Sequence, residues 1–114
     1  MSNLLYEKIA KQLMEQIIKG TLKPGNKVPS VREYALELKV NPKTIQKAFE
    51  YLADKQIFIT RVGAGRFITD DNKVLEQIKK EIIANEVQAF ITKMQNYNFT
   101  KAEIIEKIQG GEYE

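Results

Sequence analysis

The run Asn41-Pro42-Lys43-Thr44-Ile45-Gln46-Lys47-Ala48-Phe49-Glu50-Tyr51-Leu52 decides how the rest of the chain is read. Asn41 is a favourable N-cap, and Pro42 stands at the first helical position, where its missing N–H leaves no intrahelical bond unmade. Ile45, Ala48, Phe49 and Leu52 follow the i, i+3, i+4, i+7 spacing of a stripe buried against a core. Lys43, Thr44, Gln46 and Lys47 are left outside near the N-terminal end, two hydrogen-bonding groups flanked by two cations. With the positive end of the helix dipole, that set suits a negatively charged, hydrogen-bonding partner such as DNA. It equally suits the solvated face of an ordinary surface helix, where Lys and Gln are common. The neighbouring segments must decide.

Immediately upstream, Ser30-Val31-Arg32-Glu33 is a capping box that opens a short helix to about Leu38, with Val31, Ala35 and Leu38 facing inward. Val40-Asn41-Pro42 then leaves room only for a tight turn. Two helices so joined, the second exposing polar groups at its start, make a helix-turn-helix. Downstream, Ile57-Phe58-Ile59-Thr60-Arg61-Val62 has the β-branched and aromatic content of a strand. Gly63-Ala64-Gly65 supplies the positive φ angles of a hairpin turn, and Arg66-Phe67-Ile68-Thr69 returns as the second strand. A hairpin directly after a helix-turn-helix is a wing. Its tip carries Arg61 and Arg66 beside Gly63 and Gly65, as close approach to a DNA groove requires. Taken singly, each glycine needs no role beyond the turn, and each arginine none beyond solvation.

Further out, Asn3 caps a predicted helix from Leu4 to Lys19, with Leu5, Ile9, Leu13 and Ile17 on one face and Gly20 as its stop. Pro24-Gly25 makes a turn, followed by a short extended piece at Lys27-Val28. On the other side, Asp70-Asp71-Asn72 marks a boundary, and Asp71 or Asn72 caps a long helix to about Tyr97. Its apolar positions are Leu75, Ile78 and Ile82, then Ile83, Val87, Phe90, Met94 and Tyr97. The second set alternates steps of four and three, a broad stripe suited to burial by more than one helix. Thr100-Lys101-Ala102-Glu103 is a second capping box, with Phe99 and Ile104 as its hydrophobic staple, opening a helix to Gln109 that also carries Ile105 and Ile108. Two helices of this size cannot bury so many apolar side chains on each other, which predicts homodimerisation through them. The alternative is that the long helix folds back on the N-terminal domain.

The expected fold class is therefore mainly α with a small β-hairpin wing. Residues 1–69 form a winged helix-turn-helix DNA-binding domain and residues 70–114 a two-helix C-terminal dimerisation region. Charge follows this division. Residues 1–69 hold 12 Lys and Arg against 6 Asp and Glu, net +6, whereas residues 70–114 hold 6 against 9, net −3. The first part is the polyanion-binding one.

Cysteine and histidine are both absent. Zinc fingers, thiol nucleophiles and His-based acid–base catalysis are thereby excluded. Asp70-Asp71 reads as capping rather than a catalytic pair, no nucleophile or phosphate loop accompanies it, and Gly63-x-Gly65 lacks the further glycine of a dinucleotide fingerprint. No enzyme, cofactor or metal site is expected. No apolar run approaches the roughly 18 residues of a membrane helix, and the start lacks a signal-peptide layout, so a soluble, cytoplasmic protein without membrane partners is expected.

Tyr6 with Ile9, the run Ile17 to Gly25, Val28-Pro29-Ser30-Val31-Arg32-Glu33, Val40-Asn41-Pro42-Lys43-Thr44-Ile45 and Gly63-Ala64-Gly65-Arg66-Phe67-Ile68 together resemble the DNA-binding domain of the GntR family of bacterial transcription regulators. The resemblance covers residues 4–69 in order. The short helical tail resembles that of the YtrA subgroup, whose C-terminal region serves dimerisation. The resemblance implies that Arg32 and the Ser30 hydroxyl anchor phosphates, that Asn41, Lys43, Thr44, Gln46 and Lys47 face the major groove, and that the wing from Gly63 to Arg66 reaches the adjacent minor groove. It also implies a dimeric repressor of its own operon and of transporter genes, on an inverted repeat with half-sites about 10 base pairs apart. Any effector is expected at the dimer or interdomain interface, and a small molecule, an ion or no ligand at all stay open. The alternative function is a winged-helix architectural or protein-interaction module that binds DNA without sequence preference. Five positions depart from the family pattern, one of them Arg66, which stands in the wing where a small residue is usual. Lys39 and Gln56 stand where glycine is usual, Tyr34 replaces a common leucine, and Pro42 replaces an arginine at the start of the recognition helix.

Overall fold

The computed structural model describes residues 4–111, which form two compact units that part between Lys79 and Lys80, within one long helix. The elements run α1 (Leu5–Lys19), α2 (Val31–Leu38), α3 (Pro42–Asp54), β1 (Phe58–Arg61), β2 (Gly65–Ile68), α4 (Asn72–Asn96) and α5 (Lys101–Gly110). The expected class, mainly helical with one antiparallel hairpin, is the observed one. The Asn3 cap lies outside the described residues. Leu4 stands at the N-cap position of α1 and makes no side-chain capping bond.

In the first unit α3 is the element on which the others pack, meeting α1, α2 and β1. Ile45, Ala48, Phe49 and Leu52 are all buried. Against them lie Ile9, Leu13 and Ile17 of α1, as expected, joined by Ala10, while Leu5, expected with them, is exposed. Phe49 is 1 % exposed and sits at the centre of an aromatic cluster, its ring 5.9 Å from that of Tyr34 and 5.3 Å, edge-on, from that of Phe58. Such pairs add about 0.5–1.5 kcal/mol each beyond the area they bury. α2 corrects the expected inward set. Tyr34 and Ala35 are buried, whereas Val31 and Leu38 are only half-buried. Burial pushes the Tyr34 hydroxyl above its ordinary pKa, with the charge of Glu37 adding to the shift.

Helix ends follow the sequence. Gly20 closes α1 at φ 84°, and Ser30 with Glu33 forms the full capping box of α2. Lys39 and Gln56 adopt φ 58° and 64°, the left-handed region that glycine would enter without strain and that costs other residues about 1–2 kcal/mol. The hairpin pairs Phe58 with Ile68 and Arg61 with Gly65, so both strands lie one residue inside the expected outer limits and Gly65 joins the second strand. The extended piece before α2 adds to this sheet. Val28 N–H donates to Arg66 O at 2.8 Å, Ile68 N–H to Asn26 O at 2.9 Å, and Lys27 bridges Phe67.

Asp71 caps α4 by accepting from Lys73 N–H at 2.9 Å, and Asn98, at φ 67°, breaks the chain before α5. Thr100 and Glu103 form the second capping box. In the second unit Ile104 is buried, and Phe90, Met94, Phe99, Ile104 and Ile108 line an open groove of about 770 Å³.

Candidate nucleic-acid interface

On a helix, a two-residue offset is about 200°, so the stripe 43, 46, 47, 50 lies opposite the buried stripe 45, 48, 49, 52 of α3. Lys43, Lys47 and Glu50 are exposed, and Thr44 and Gln46 half-exposed. Asn41 has extended backbone, and its Oδ1 accepts from Lys43 N–H at 2.8 Å. The side chain therefore caps α3, and its amide NH₂ remains for an outside acceptor. Gln46 Nε2 donates to Glu50 Oε1 at 3.0 Å, one turn further on. Sequence reading singled out Gln46 but passed over Glu50, which shares its stripe.

α2 presents the second part. Ser30 Oγ accepts from Glu33 N–H at 3.1 Å and Glu33 Oε1 accepts from Ser30 N–H at 3.1 Å. The Ser30 backbone N–H, and the Ser30 hydroxyl donating to the same carboxylate, hold the Glu33 carboxyl below its ordinary pKa, and the nearby charge of Lys27 acts in the same sense. Arg32, in the first turn, is exposed.

The wing turns at Val62-Gly63, with Ala64 N–H donating to Arg61 O at 2.9 Å and Gly63 at φ 79°, the value a type II turn needs at its third residue. Val62 at the tip is fully exposed. The two arginines do not sit together. Cross-strand partners share a face, so Arg61 lies with Gly65 and Phe67, its guanidinium 4.5 Å from the Phe67 ring centroid. Arg66 lies on the face of buried Phe58 and Ile68, with its guanidinium 5.6 Å from the Phe49 ring of α3. Lys27 is a wing cation that sequence reading missed. A Cβ at Gly65 would stand 3.0 Å from Lys27 Cε, so the lysine stem crosses the glycine. Only the pairing of residue 27 with residue 67 shows this, and no local pattern encodes it.

The apolar positions of the helical tail fall in three classes. Ile78 is 3 % exposed, already buried within the single chain, and Leu75, Ile82 and Met94 are half-buried. Ile83, Val87, Phe90, Tyr97, Ile105 and Ile108 are exposed. Among the described residues, no group of His, Cys, Asp or Glu is placed to hold a metal ion, and no helix is long and apolar enough to cross a membrane.

Comparison with known proteins adds four likenesses. The family described as "Bacterial regulatory proteins, gntR family" matches residues 5–68. The HTH-type transcriptional regulator YhcF of Bacillus subtilis is 34% identical over 108 residues, 95% of this chain and 89% of that protein. The HTH-type transcriptional repressor YtrA of the same organism is 38% identical over 92 residues, 72% of this chain and 71% of that protein. Among solved structures, a GntR family transcriptional regulator from Listeria monocytogenes superposes with a TM-score of 0.84 at 34% identity, covering 97% of each chain.

Proposed function

The chain belongs to the gntR family of bacterial regulatory proteins, DNA-binding regulators of transcription and not enzymes, and from that premise we propose that it is a YtrA-like repressor acting as a homodimer on an inverted-repeat operator. The observation that carries this reading is the outward stripe of α3. It sets a capped, positive helix end, two lysines and a glutamine opposite a fully buried apolar face. Lys43, Lys47, Arg32 and Arg61 neutralise phosphates, the Ser30 hydroxyl donates to one, and Asn41, Thr44 and Gln46 face base edges in the major groove. The wing, with Gly63, Gly65, Arg61 and Arg66, follows the adjacent minor groove.

Residues 1–69 carry DNA binding in this proposal and residues 70–114 carry dimerisation. The exposed apolar side chains of α4 and α5 support a second copy as partner, because isolated helices rarely leave so many large apolar groups in water. A small effector would enter at that dimer interface. Occlusion of a promoter is the mechanism, in the cytoplasm, where the chromosome lies.

Selection of bound sequences from a random double-stranded DNA pool at about 0.15 M salt tests the reading. Recovery of an inverted repeat with half-sites about 10 base pairs apart is the expected result. Recovery of unrelated sequences, or a ratio of specific to non-specific affinity far below about 10³, would replace it with a module that binds DNA without sequence preference.

A further inference from the structure

Glu50 is out of place by charge. It is exposed on the same stripe of α3 as Lys43, Gln46 and Lys47, and a carboxylate on a face turned to phosphates opposes binding. Its oxygen takes a hydrogen bond from Gln46 Nε2 at 3.0 Å. An ionised carboxylate is acceptor-only, so it can hold the nitrogen end of the glutamine amide and not the oxygen end. A flipped amide would set Oε1 against Oε1, with no proton between them.

We propose that Glu50 is a positioning residue for base reading, fixing the order in which the Gln46 amide presents its donor and its acceptor to the major groove. This rests on the reading of Gln46 as a base-contacting residue. With one Nε2 proton engaged by Glu50, the amide offers outward one remaining N–H and the lone pairs of Oε1. That pair complements adenine, whose N7 accepts and whose N6 donates, and opposes guanine, where N7 and O6 both accept. Held in one sense, the amide also separates A·T from T·A, because the two pairs run the same groups across the groove in opposite order. Freed to flip, it accommodates either.

The test measures affinity of the full-length protein for its selected operator and for the operators bearing each other base pair at every half-site position, with Gln46→Ala, Glu50→Gln and Glu50→Ala variants beside the wild type. Gln46→Ala should abolish preference at one position, which identifies the base pair it reads. At that position Glu50→Gln, whose amide bonds to Gln46 in either sense, should lower the A·T over T·A ratio about tenfold while leaving ratios elsewhere unchanged. Loss of the negative charge should raise affinity for all sequences alike, a uniform effect separable from the local one. Glu50→Ala should loosen the same position. If Gln46→Ala flattens a position and both Glu50 variants keep its full A·T over T·A ratio, the positioning role is wrong and the base-reading role stands. If Gln46→Ala flattens no position, both fall together. Glu50 is exposed, so the variants are expected to melt as the wild type does, and a circular dichroism melt confirms that the comparison is between folded proteins.

Discussion

Lys39 and Gln56 hold the backbone in the left-handed region without the freedom of glycine. Relief of that strain outweighs the added entropy of an unfolded glycine, so Lys39→Gly is expected to raise the unfolding free energy by about 0.5–1 kcal/mol. Denaturant titration checks it through a higher midpoint at unchanged slope. On the DNA-facing side, Lys47→Ala is expected to weaken every sequence alike and to reduce the salt slope by about one unit, read from affinities at several salt concentrations. These strained positions were legible in the sequence, since both fall at helix ends where the resembling family places glycine. Tyr34 was harder to read. A tyrosine in an eight-residue helix satisfies an inward or an outward pattern equally, and its burial is decided by Phe49 of another helix, 5.9 Å away ring to ring. Glu50 escaped for a related reason, as its use depends on a side-chain partner, and spacing alone makes every i, i+4 pair look alike.

Among the elements, the start and the buried face of α3 were legible because Ile45, Ala48, Phe49 and Leu52 obey one helical period and because Asn41-Pro42 allows one start. The wing was legible as a hairpin but not in its faces. Whether Arg61 and Arg66 share a side depends on the register, and here a pairing of Arg61 with Gly65 sends them to opposite sides. The close passage of Lys27 gives a prediction of its own. Gly65 has φ 109°, where a side chain is strained, and a Cβ would push the flexible end of Lys27 aside, so Gly65→Ala is expected to destabilise the protein by about 1–2 kcal/mol and to lower operator affinity through the altered wing. Thermal melting and binding assays read the two effects. The capping boxes predict a pH dependence. Glu33 and Glu103 each have a pKa lowered from the ordinary 4.5 by hydrogen bonds from the backbone and hydroxyl of Ser30 and Thr100. A lowered folded-state pKa means that the stabilisation is complete above 4.5 and is lost as pH falls through the lowered value. Far-ultraviolet circular dichroism melts at descending pH should show this loss, and it should shrink in a Glu33→Gln, Glu103→Gln double variant.

For the molecule as a whole, the helical tail tests the dimer. Full-length protein is expected to sediment at twice its 13.1 kDa mass, and Val87→Glu, which sets a charge on an exposed apolar position of α4, is expected to shift it toward monomer. A monomer at micromolar wild-type concentration would refute the tail assignment. Here the sequence was least explicit, because a hydrophobic stripe states that something covers it without saying what. Ile78 is covered within its own chain, and Ile83 and Ile108, each 64 % exposed, are not. The N-cap of α3 bears on why two copies would be needed at all. With its Oδ1 engaged by the backbone of Lys43, Asn41 offers chiefly its N–H groups outward, and the lysines beside it are donors alone. Most of the stripe therefore speaks in donors, leaving Thr44 and Gln46 to add a second letter to the alphabet. A fully specified base pair carries about two bits of information, since the major groove distinguishes all four pairs. Finding one site among about 10⁶ competitors takes about 20 bits. A single α3 with so narrow a vocabulary falls well short of that sum, so the address must be assembled from two copies, with spacing and symmetry as part of the message.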